Sequence, residues 1–409
     1  MNGKKHTDLA MFAGALAMAM APAAFGQGVA FTQSNTLQPA FAADSIRSNL
    51  GGGLFGDLLA SSELPEGLGL PADIDFNPAD GLLYVIAVAE EEGQDPLVGG
   101  LGSVWSIDPA TGDAQKLVGG LNAPQFLDFS GDGTALFFSE QGTGAGATFQ
   151  NDGRVQRLDL TTPGAPPEIV VTAPPSGTPV GVDFDPASGD LFYMVRNQGQ
   201  PENNVQQIRR VEDPLTASNI PPGGDELFFE DTTGELLTAG RNLQVVGDDL
   251  FFVIRNTAFG TVPSRLNRVP LDFGGDRDQV ETVIEGQFIV DFEASDGRLW
   301  YTDALGANIG ELIRANIDGT DAFTLATGPG SLGSLPIGVA VVRDAVVPCD
   351  GTVDLAPPLG VVNALDLEEL ATRGDAGTLC DFDGSGELNF FDLLEAARIF
   401  DAAETPPGG

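Results

Sequence analysis

The feature that most constrains the fold is a unit of about fifty residues that recurs along the chain. Each copy begins with a short apolar strand, continues through a turn rich in Gly, Asp and Asn, and ends in an aromatic strand, as in PADIDFNPADGLLYVIA from Pro71. This order is typical of a β-hairpin, and a weaker pair of alternating stretches follows it. Each unit therefore predicts four strands, the content of one blade of a β-propeller. Further copies begin at Pro124, Pro179, Arg241, Gln287 and, in partial form, Pro336.

The two ends of the repeat region complement each other. Ser45–Pro71 has the pattern of a blade's outer half, which it shares with Leu312–Pro336, whereas Pro336–Val347 offers only an inner strand. Joined, the two ends predict a composite sixth blade that seals the ring and removes exposed sheet edges. The predicted fold class is thus mainly β: a six-bladed β-propeller over residues 27–347, closed by pairing of the N- and C-terminal segments.

The first residues carry a different pattern. Lys4 and Lys5 precede an apolar run, Ala10–Phe25, and small residues follow. This arrangement predicts a secretory signal peptide, residues 1–26, with cleavage near Gly26. A membrane anchor is the alternative, but the run is shorter than the ~20 apolar residues of a spanning helix. We therefore expect a secreted protein, extracellular or associated with the cell surface, without membrane insertion.

Charge and histidine content exclude several functions. The chain has 19 basic and 59 acidic residues, a formal net charge of −40, so we expect its surface to repel nucleic acid. The only histidine, His6, lies in the predicted signal peptide. Without histidine, the secreted chain has neither a Ser-His-Asp triad nor a His-ligated zinc site.

One repeat contains a recognisable motif. LWYTD at Leu299–Asp303, with LIRANIDGT after it, resembles the YWTD repeat of low-density-lipoprotein-receptor class B propellers, which have a six-bladed, TolB-like architecture. Trp300 and Tyr301 stand in swapped order, and FAADSIRSNL at Phe41–Leu50 is a fainter copy. The resemblance implies the six-bladed fold and leaves the ligand undefined.

The chain ends in another kind of unit. Within CDFDGSGELNFFDLL, oxygen-bearing residues recur at every second position around Gly386, and a helical pattern follows. This spacing is that of an EF-hand-type loop and predicts one calcium ion, with an acidic turn as the alternative. The predicted calcium ligands are Asp381, Asp383, Ser385, Glu387, Asn389 and Asp392.

A second loop–helix copy precedes this loop. GVVNALDLEEL aligns with GELNFFDLLEA, and two such copies closed by Asp resemble a variant dockerin. The first copy lacks oxygens where Leu355, Pro357 and Leu359 stand, so one ion is expected rather than two. The resemblance implies a small α-helical calcium-binding module, residues 348–401, that docks on a cohesin-like or cell-surface anchoring protein, and residues 402–409 are a predicted disordered tail. It places the docking face on Phe390, Phe391, Ala364 and Leu365, for which packing between the helices is the alternative.

The two cysteines, Cys349 and Cys380, both lie in this C-terminal region. An even pair in a secreted chain predicts a disulfide, with free thiols as the alternative. Closing a loop of this length stabilises a module by about 3–4 kcal/mol if the bond is unstrained.

Propellers bind ligands at the end of the central channel, so the ends of the second strands are candidate site positions. VRNQG and IRNTA place the same Arg-Asn pair in adjacent blades. Two arginines in so acidic a protein can receive a carboxylate or sulfate group; alternatively, they neutralise acidic residues of the protein itself. The candidate channel residues are Glu140, Arg196, Asn197, Arg255, Asn256 and Asp303.

These features lead to three functional hypotheses. The first is a non-catalytic binding propeller for a protein, peptide or saccharide ligand, tethered by the C-terminal module. The second is a metal-dependent hydrolase or lactonase similar to gluconolactonase propellers, with oxygens from Glu140, Asn197, Asn256 and Asp303; the Pro-Asn-Gly motif of that family is missing. The third is a structural surface-layer or matrix protein without a small ligand. We expect the first, because the enzyme hypothesis rests on analogy of fold alone.

Overall fold

The structure is a computed structural model of the chain. It describes residues 28–34, 45–48, 56–60, 64–89, 100–142, 152–174, 177–197, 206–231, 241–254, 263–286, 288–295, 297–304, 310–327, 335–342, 347–348 and 380–381. The predicted signal peptide, Arg255 and Asn256 lie outside these residues. The C-terminal module and tail also lie outside them, apart from the backbone of Pro348, Cys380 and Asp381.

The chain divides into two compact units, and the larger, Val29–Asn49 with Phe55–Val342, consists of six four-stranded sheets. The composite blade begins with β1 (Gly28–Ser34), β2 (Ser45–Ser48) and β3 (Gly56–Leu59). Blade 1 contains β4 (Pro71–Asn77), β5 (Leu82–Ala87), β6 (Gly102–Ile107) and β7 (Ala114–Leu121). Blade 2 contains β8 (Pro124–Phe129), β9 (Ala135–Glu140), β10 (Arg154–Asp159) and β11 (Glu168–Thr172). Blade 3 contains β12 (Gly177–Phe184), β13 (Leu191–Asn197), β14 (Gln206–Val211) and β15 (Glu226–Asp231).

The remaining strands complete the ring. Blade 4 contains β16 (Leu243–Val246), β17 (Asp249–Ile254), β18 (Ser264–Pro270) and β19 (Glu281–Gly286). Blade 5 contains β20 (Ile289–Ser295), β21 (Arg298–Asp303), β22 (Glu311–Asn316) and β23 (Phe323–Thr327). The last propeller strand, β24 (Leu335–Val342), pairs with β1 to complete the composite sixth blade. The prediction of six blades closed by the two ends of the repeat region is therefore confirmed.

Helices are nearly absent from the part of the chain that the structure describes. That part contains no α-helix and one 3-10 turn, Arg277–Gln279, whose N-cap Asp276 accepts a hydrogen bond from the Asp278 backbone N–H. No helix among the described residues is long and apolar enough to cross a membrane. The predicted helices of the C-terminal module fall outside the described residues and stay a prediction.

Two short strands belong to the smaller unit. β25 (Val347–Pro348) and β26 (Cys380–Asp381) pair in parallel, with Val347 opposite Cys380. Cys349 lies outside the described residues, so the Cys349–Cys380 disulfide stays a prediction.

Apolar side chains form layers between neighbouring blades. The stacked rings of Phe137 and Phe184, with centroids 5.7 Å apart, join blades 2 and 3. Trp300 of the LWYTD motif is 2% exposed and packs with Phe31 and Val339 of the composite blade. Because aromatic groups bury large areas, these layers contribute favourable free energy to the association of the blades.

Backbone polar contacts join the blades at their turns as well. Gly133, in the hairpin turn of blade 2, has φ +67° and its carbonyl accepts a hydrogen bond from Asn77 Nδ2 at 3.0 Å. A Cβ atom at Gly133 would lie 2.3 Å from Asn77 Oδ1. Only glycine satisfies both the left-handed backbone and this close approach.

Side chains of the inner strands bind the backbone of the next blade around the ring. Asp73 Oδ2 accepts from Leu127 N at 2.8 Å, joining blade 1 to blade 2. The same kind of contact joins every following pair of blades up to the composite blade. In each, a side-chain oxygen accepts a hydrogen bond from a backbone N–H: Asp128 from Phe184, Asp183 from Val245, Gln244 from Ala294 and Asp291 from Val339. These five contacts hold the inner strands in register.

Candidate functional site

The six inner strands, β4, β8, β12, β16, β20 and β24, form a closed ring in which each contacts its neighbours. Equivalent register positions place their side chains at two levels along the axis. The upper level, nearer the start of the strands, consists of Asp73, Phe126, Gly181, Asn242, Asp291 and Gly338. The lower level consists of Asp75, Asp128, Asp183, Gln244, Glu293 and Ala340.

The lower level is a ring of acidic groups that influence one another across the axis. Burial raises the pKa of Asp183 well above its usual value, and the charges of Asp128, Glu293 and Asp75 raise it further. Glu293 and Asp75 belong to blades 5 and 1, which are not neighbours of blade 3. An effect between such distant blades indicates that these carboxylates face a common axis.

The upper level contains a pair of buried carboxyl groups. Burial raises the pKa of Asp73 well above its usual value, and the charge of Asp291 adds to this effect. Burial also raises the pKa of Asp291 to about 7, although hydrogen bonds from Val339 N and Asn242 and the charge of Arg241 oppose the shift. Near neutral pH, this level therefore carries less negative charge than the same two carboxyl groups would carry in water.

Two half-buried arginines lie at the same end of the axis. Arg241 precedes β16, and its guanidinium carbon lies 5.5 Å from the centre of the Phe126 ring. Burial lowers the pKa of Arg196 to about 10, and the charge of Arg241 contributes to the shift. Burial also lowers the pKa of Arg241, while Asp291 and Asp73 oppose this. The two guanidinium groups are thus close enough to repel each other.

The candidate residue Glu140 is engaged within its own blade. It is fully buried at the end of β9 and forms an ion pair with Arg154. Its carboxylate also accepts hydrogen bonds from Gln156 Nε2 and from Asn122 N, both at 2.8 Å. Glu140 therefore stabilises the outer strands and the entry to β8.

The other candidate residues have different surroundings. Asp303, buried at the end of β21, accepts a hydrogen bond from Phe288 N at 2.8 Å. Arg196 lies beside Arg241, as its pKa indicates. Asn197 is described in its backbone only, and Arg255 and Asn256 lie outside the described residues. A ligand role for these positions stays a prediction.

The sequence did not single out Arg241 or the aspartates of the two levels. A signal for three lower-level aspartates was present, because Asp precedes Phe at the same place in the hairpins DIDF, FLDF and GVDF. The Asp-Phe pair of VDFEA is displaced by two residues in register, so Asp291 lies at the upper level. Arg241 has no such repeat signal, since it stands at the start of the most divergent hairpin. Within the described residues, no group of three or more His, Cys, Asp or Glu side chains is arranged to hold a metal ion.

Comparisons with known proteins agree with the propeller class. No protein-family model and no curated protein match the chain. TolB from Acinetobacter baumannii is similar in structure, with a TM-score of 0.52 and 14% identity over 81% of this chain and 71% of that chain. A putative TolB from Agrobacterium tumefaciens has a TM-score of 0.44 and 13% identity over 76% of this chain and 96% of that chain.

A further comparison concerns the second functional hypothesis. A gluconolactonase from Xanthomonas campestris has a TM-score of 0.42 and 18% identity over 63% of this chain and 75% of that chain. The first TolB comparison shows a shared fold, and the likenesses with lower scores carry no further conclusion. The chain is thus a six-bladed β-propeller whose fold is similar to that of TolB, with an acidic axis and two arginines at one end.

Proposed function

We propose that the protein is a secreted, non-catalytic binding propeller that attaches to a cell-surface or extracellular scaffold through residues 348–401. The observation that supports this most is the arrangement of charge on the axis. Carboxylates form the lower level, whereas Arg196 and Arg241 lie together at the end where ligands enter propellers. A ligand group of opposite charge can accept charge-assisted hydrogen bonds from such a pair.

The surroundings of the carboxylates disfavour the hydrolase alternative. A metal-dependent propeller enzyme needs several oxygens free to converge on one ion. Glu140 is paired with Arg154, and Asp303 accepts a hydrogen bond from Phe288 N. At the upper level, Asp73 and Asp291 each accept a backbone N–H from the next blade. These oxygens already make contacts that stabilise the fold, which disfavours their convergence on a metal ion.

The attachment half of the proposal rests on sequence. The spacing of Asp381, Asp383, Ser385, Glu387, Asn389 and Asp392 is that of a calcium loop, and its duplicated loop–helix pattern resembles a dockerin. Calcium would order this region and thereby control docking on a cohesin-like or other anchoring protein, because the ligands are brought together only when the loop folds.

Affinity capture with the chain lacking residues 1–26 tests attachment. The protein is immobilised and exposed to extracellular extract of its source, with calcium or with a chelator. We expect a partner that is retained only with calcium, and loss of retention in the Asp381→Ala, Asp383→Ala double variant. Asp248→Ala, which removes an exposed propeller carboxylate, is the matched control. The proposal would be contradicted if the partner were retained equally with calcium and with chelator, and equally by the unmodified protein and the double variant.

A separate assay tests the enzyme alternative. The same protein, loaded with calcium or zinc, is incubated with simple sugar lactones, and ring opening is followed by proton release. We expect the rate to equal that of buffer with metal. Metal-dependent hydrolysis that disappears in Asp303→Asn would establish the hydrolase instead.

A further inference from the structure

We propose that the upper end of the axis is an oxyanion site, in which Arg196, Arg241 and Thr178 bind one carboxylate or sulfate group of a small, otherwise neutral ligand. This inference rests on the proposed binding function and names the class of ligand. It uses Arg241 and Thr178, which the repeat pattern alone does not mark as functional.

The backbone of Arg241 is held by a hydrogen bond, and its guanidinium group lies against an aromatic ring. Its N–H donates to Val253 O at 3.1 Å, and the Phe126 ring lies beneath the guanidinium. Nε of Arg241 is buried and has no hydrogen-bond partner among the described residues. A buried donor without a partner costs free energy, so a ligand oxygen at this position would be stabilising.

Thr178 supplies a second buried polar atom without a partner. It lies directly opposite Arg196 in the β12–β13 pair, and residues paired in this way project from the same face of a sheet. Thr178 is 1% exposed, and its Oγ1 has no hydrogen-bond partner in the described part of the chain. Its hydroxyl can therefore donate to an oxyanion next to the Arg196 guanidinium.

The backbone brings these two sources of donors together. Gly181 follows Thr178 in β12, and a Cβ atom there would lie 2.8 Å from Arg241 O. The β12 strand is bulged between Pro179 and Val182, a distortion that re-aims neighbouring side chains. Blade 3 thus lies against the start of blade 4 at the level of the two arginines.

The charges explain why an anion is preferred and why it should be small. Arg196 and Arg241 repel each other, and a shared oxyanion removes that repulsion while accepting charge-assisted hydrogen bonds. At the lower level, the negative charge that remains on Asp128, Asp183 and Glu293 disfavours a second negative group deeper along the axis. The site therefore suits one anionic group on a neutral body, such as a uronic acid or a sulfated sugar.

Calorimetric titration of the chain lacking residues 1–26 tests this site. The probes are glucuronate, glucose 6-sulfate and, as a neutral control, glucose, at constant ionic strength. We expect one site for the carboxylate, the sulfate or both, and no measurable binding of glucose. Glucose binding equal to that of the anions, or no binding of either anion, would overturn the proposal.

Substitutions localise the site. Arg241→Gln should weaken anion binding by about tenfold or more, the loss expected for hydrogen bonds to a charged group, and Thr178→Val by about threefold. Arg265→Gln removes an arginine of the same blade whose partner is Glu285, and should leave affinity unchanged. Equal weakening by Arg241→Gln and Arg265→Gln would show a general charge effect and contradict the site.

Folding of each variant is checked by its melting transition. If Arg241→Gln does not fold, Arg241→Lys keeps the charge but loses bidentate geometry, and weaker binding in that variant supports the site. Affinity unchanged in both Arg241→Lys and Thr178→Val contradicts it. Calcium-dependent capture is measured in a separate experiment. If no anion binds the propeller, the capture experiment still tests whether the protein attaches to a partner.

Discussion

At the scale of single residues, the inner strands depend on a close approach between backbones at Gly181. A Cβ atom at this position would lie 2.8 Å from Arg241 O, 2.9 Å from Asn242 Cα and 2.9 Å from Leu243 N. All three atoms belong to the backbone of blade 4 and cannot rotate away as a side chain can. The glycine therefore sets the distance between blades 3 and 4 and the position of Arg241.

We predict that Gly181→Ala lowers the free energy of unfolding by about 2–3 kcal/mol, because the two strands must separate. The measurement is urea unfolding followed by tryptophan fluorescence. Gly247→Ala is the matched control: its site is open but has φ +61°, so only backbone strain of about 1 kcal/mol is expected. Equal losses in the two variants would show that close approach is unimportant at Gly181.

At the scale of elements, the outer edge of blade 2 is covered by the segment between β14 and β15. Asn219 N donates to Ile169 O at 2.8 Å, Ile220 N to Val170 O at 2.9 Å, and Thr172 N to Ile220 O at 3.0 Å. The segment thus acts as a short fifth, parallel strand on β11. It satisfies backbone groups that an exposed edge would offer to another chain.

Arg157 fastens this covering segment. Its guanidinium donates to the carbonyls of Pro214 and Leu215 and pairs with Glu168. We predict that Arg157→Ala costs about 1–2 kcal/mol and increases aggregation on heating, because the edge of β11 is released. Light scattering during thermal unfolding measures this.

Arg268→Ala provides the comparison for that experiment. Arg268 pairs with Glu281 on the adjacent strand of blade 4, as Arg157 does with Glu168 in blade 2. Among the described residues, however, its partners are the side chains of Glu281 and Asp249 and not the carbonyls of a covering segment. An exposed ion pair of this kind contributes about 0–1 kcal/mol. Aggregation of both variants to the same degree would argue against a covering role for the segment.

At the scale of the whole molecule, buried axial acids make stability depend on pH in an unusual direction. The pKa of Asp291 rises from its ordinary value of 3.8 to about 7 in the fold. Between these two pH values, the folded state therefore binds more protons at Asp291 than the unfolded state does. Its contribution to stability is present below its ordinary pKa and is lost as pH rises through about 7. Asp73, Asp128 and Asp183 are shifted in the same direction by burial.

We predict that the free energy of unfolding increases on acidification from about pH 8 to pH 5, by on the order of a few kcal/mol. Some exposed carboxylates have the opposite effect, because their pKa values are lowered in the fold; these are Asp132, Asp159 and Asp318. They destabilise the protein on acidification, but only at pH values below the range from about 8 to 5. Urea midpoints at both pH values measure the effect. A midpoint that falls on acidification would refute it.

The variant Asp291→Asn assigns part of this dependence to the axis. An amide cannot titrate, so we predict a shallower change of midpoint with pH than in the unmodified protein. Absolute stability should fall as well, because Asp291 accepts from both Asn242 Nδ2 and Val339 N and an amide has a single acceptor oxygen. Asp248→Asn, at an exposed position, should leave the pH dependence unchanged.

Much of this architecture follows from local pattern. The hairpins from Pro71, Pro124 and Pro179 have apolar strands and glycine turns that specify a blade without reference to the rest of the chain. Ring closure was also predictable, because one end of the repeat region had an outer half and the other an inner strand. The candidate site was less predictable. The sequence places Glu140 at a strand end, where a ligand residue is expected, but in the fold its carboxylate is paired with Arg154 of the adjacent strand.

The sequence by itself determined the number of blades, the place of closure and the excess of acid, since each depends on periodicity or composition. Only the tertiary structure decided which charged groups meet on the axis. Arg196 and Arg241 come from blades 3 and 4 and approach each other when these neighbouring blades pack. Asp73 and Asp291 come from blades 1 and 5 and approach each other only across the closed ring. Such contacts depend on curvature and register between sheets, which no local stretch of sequence encodes.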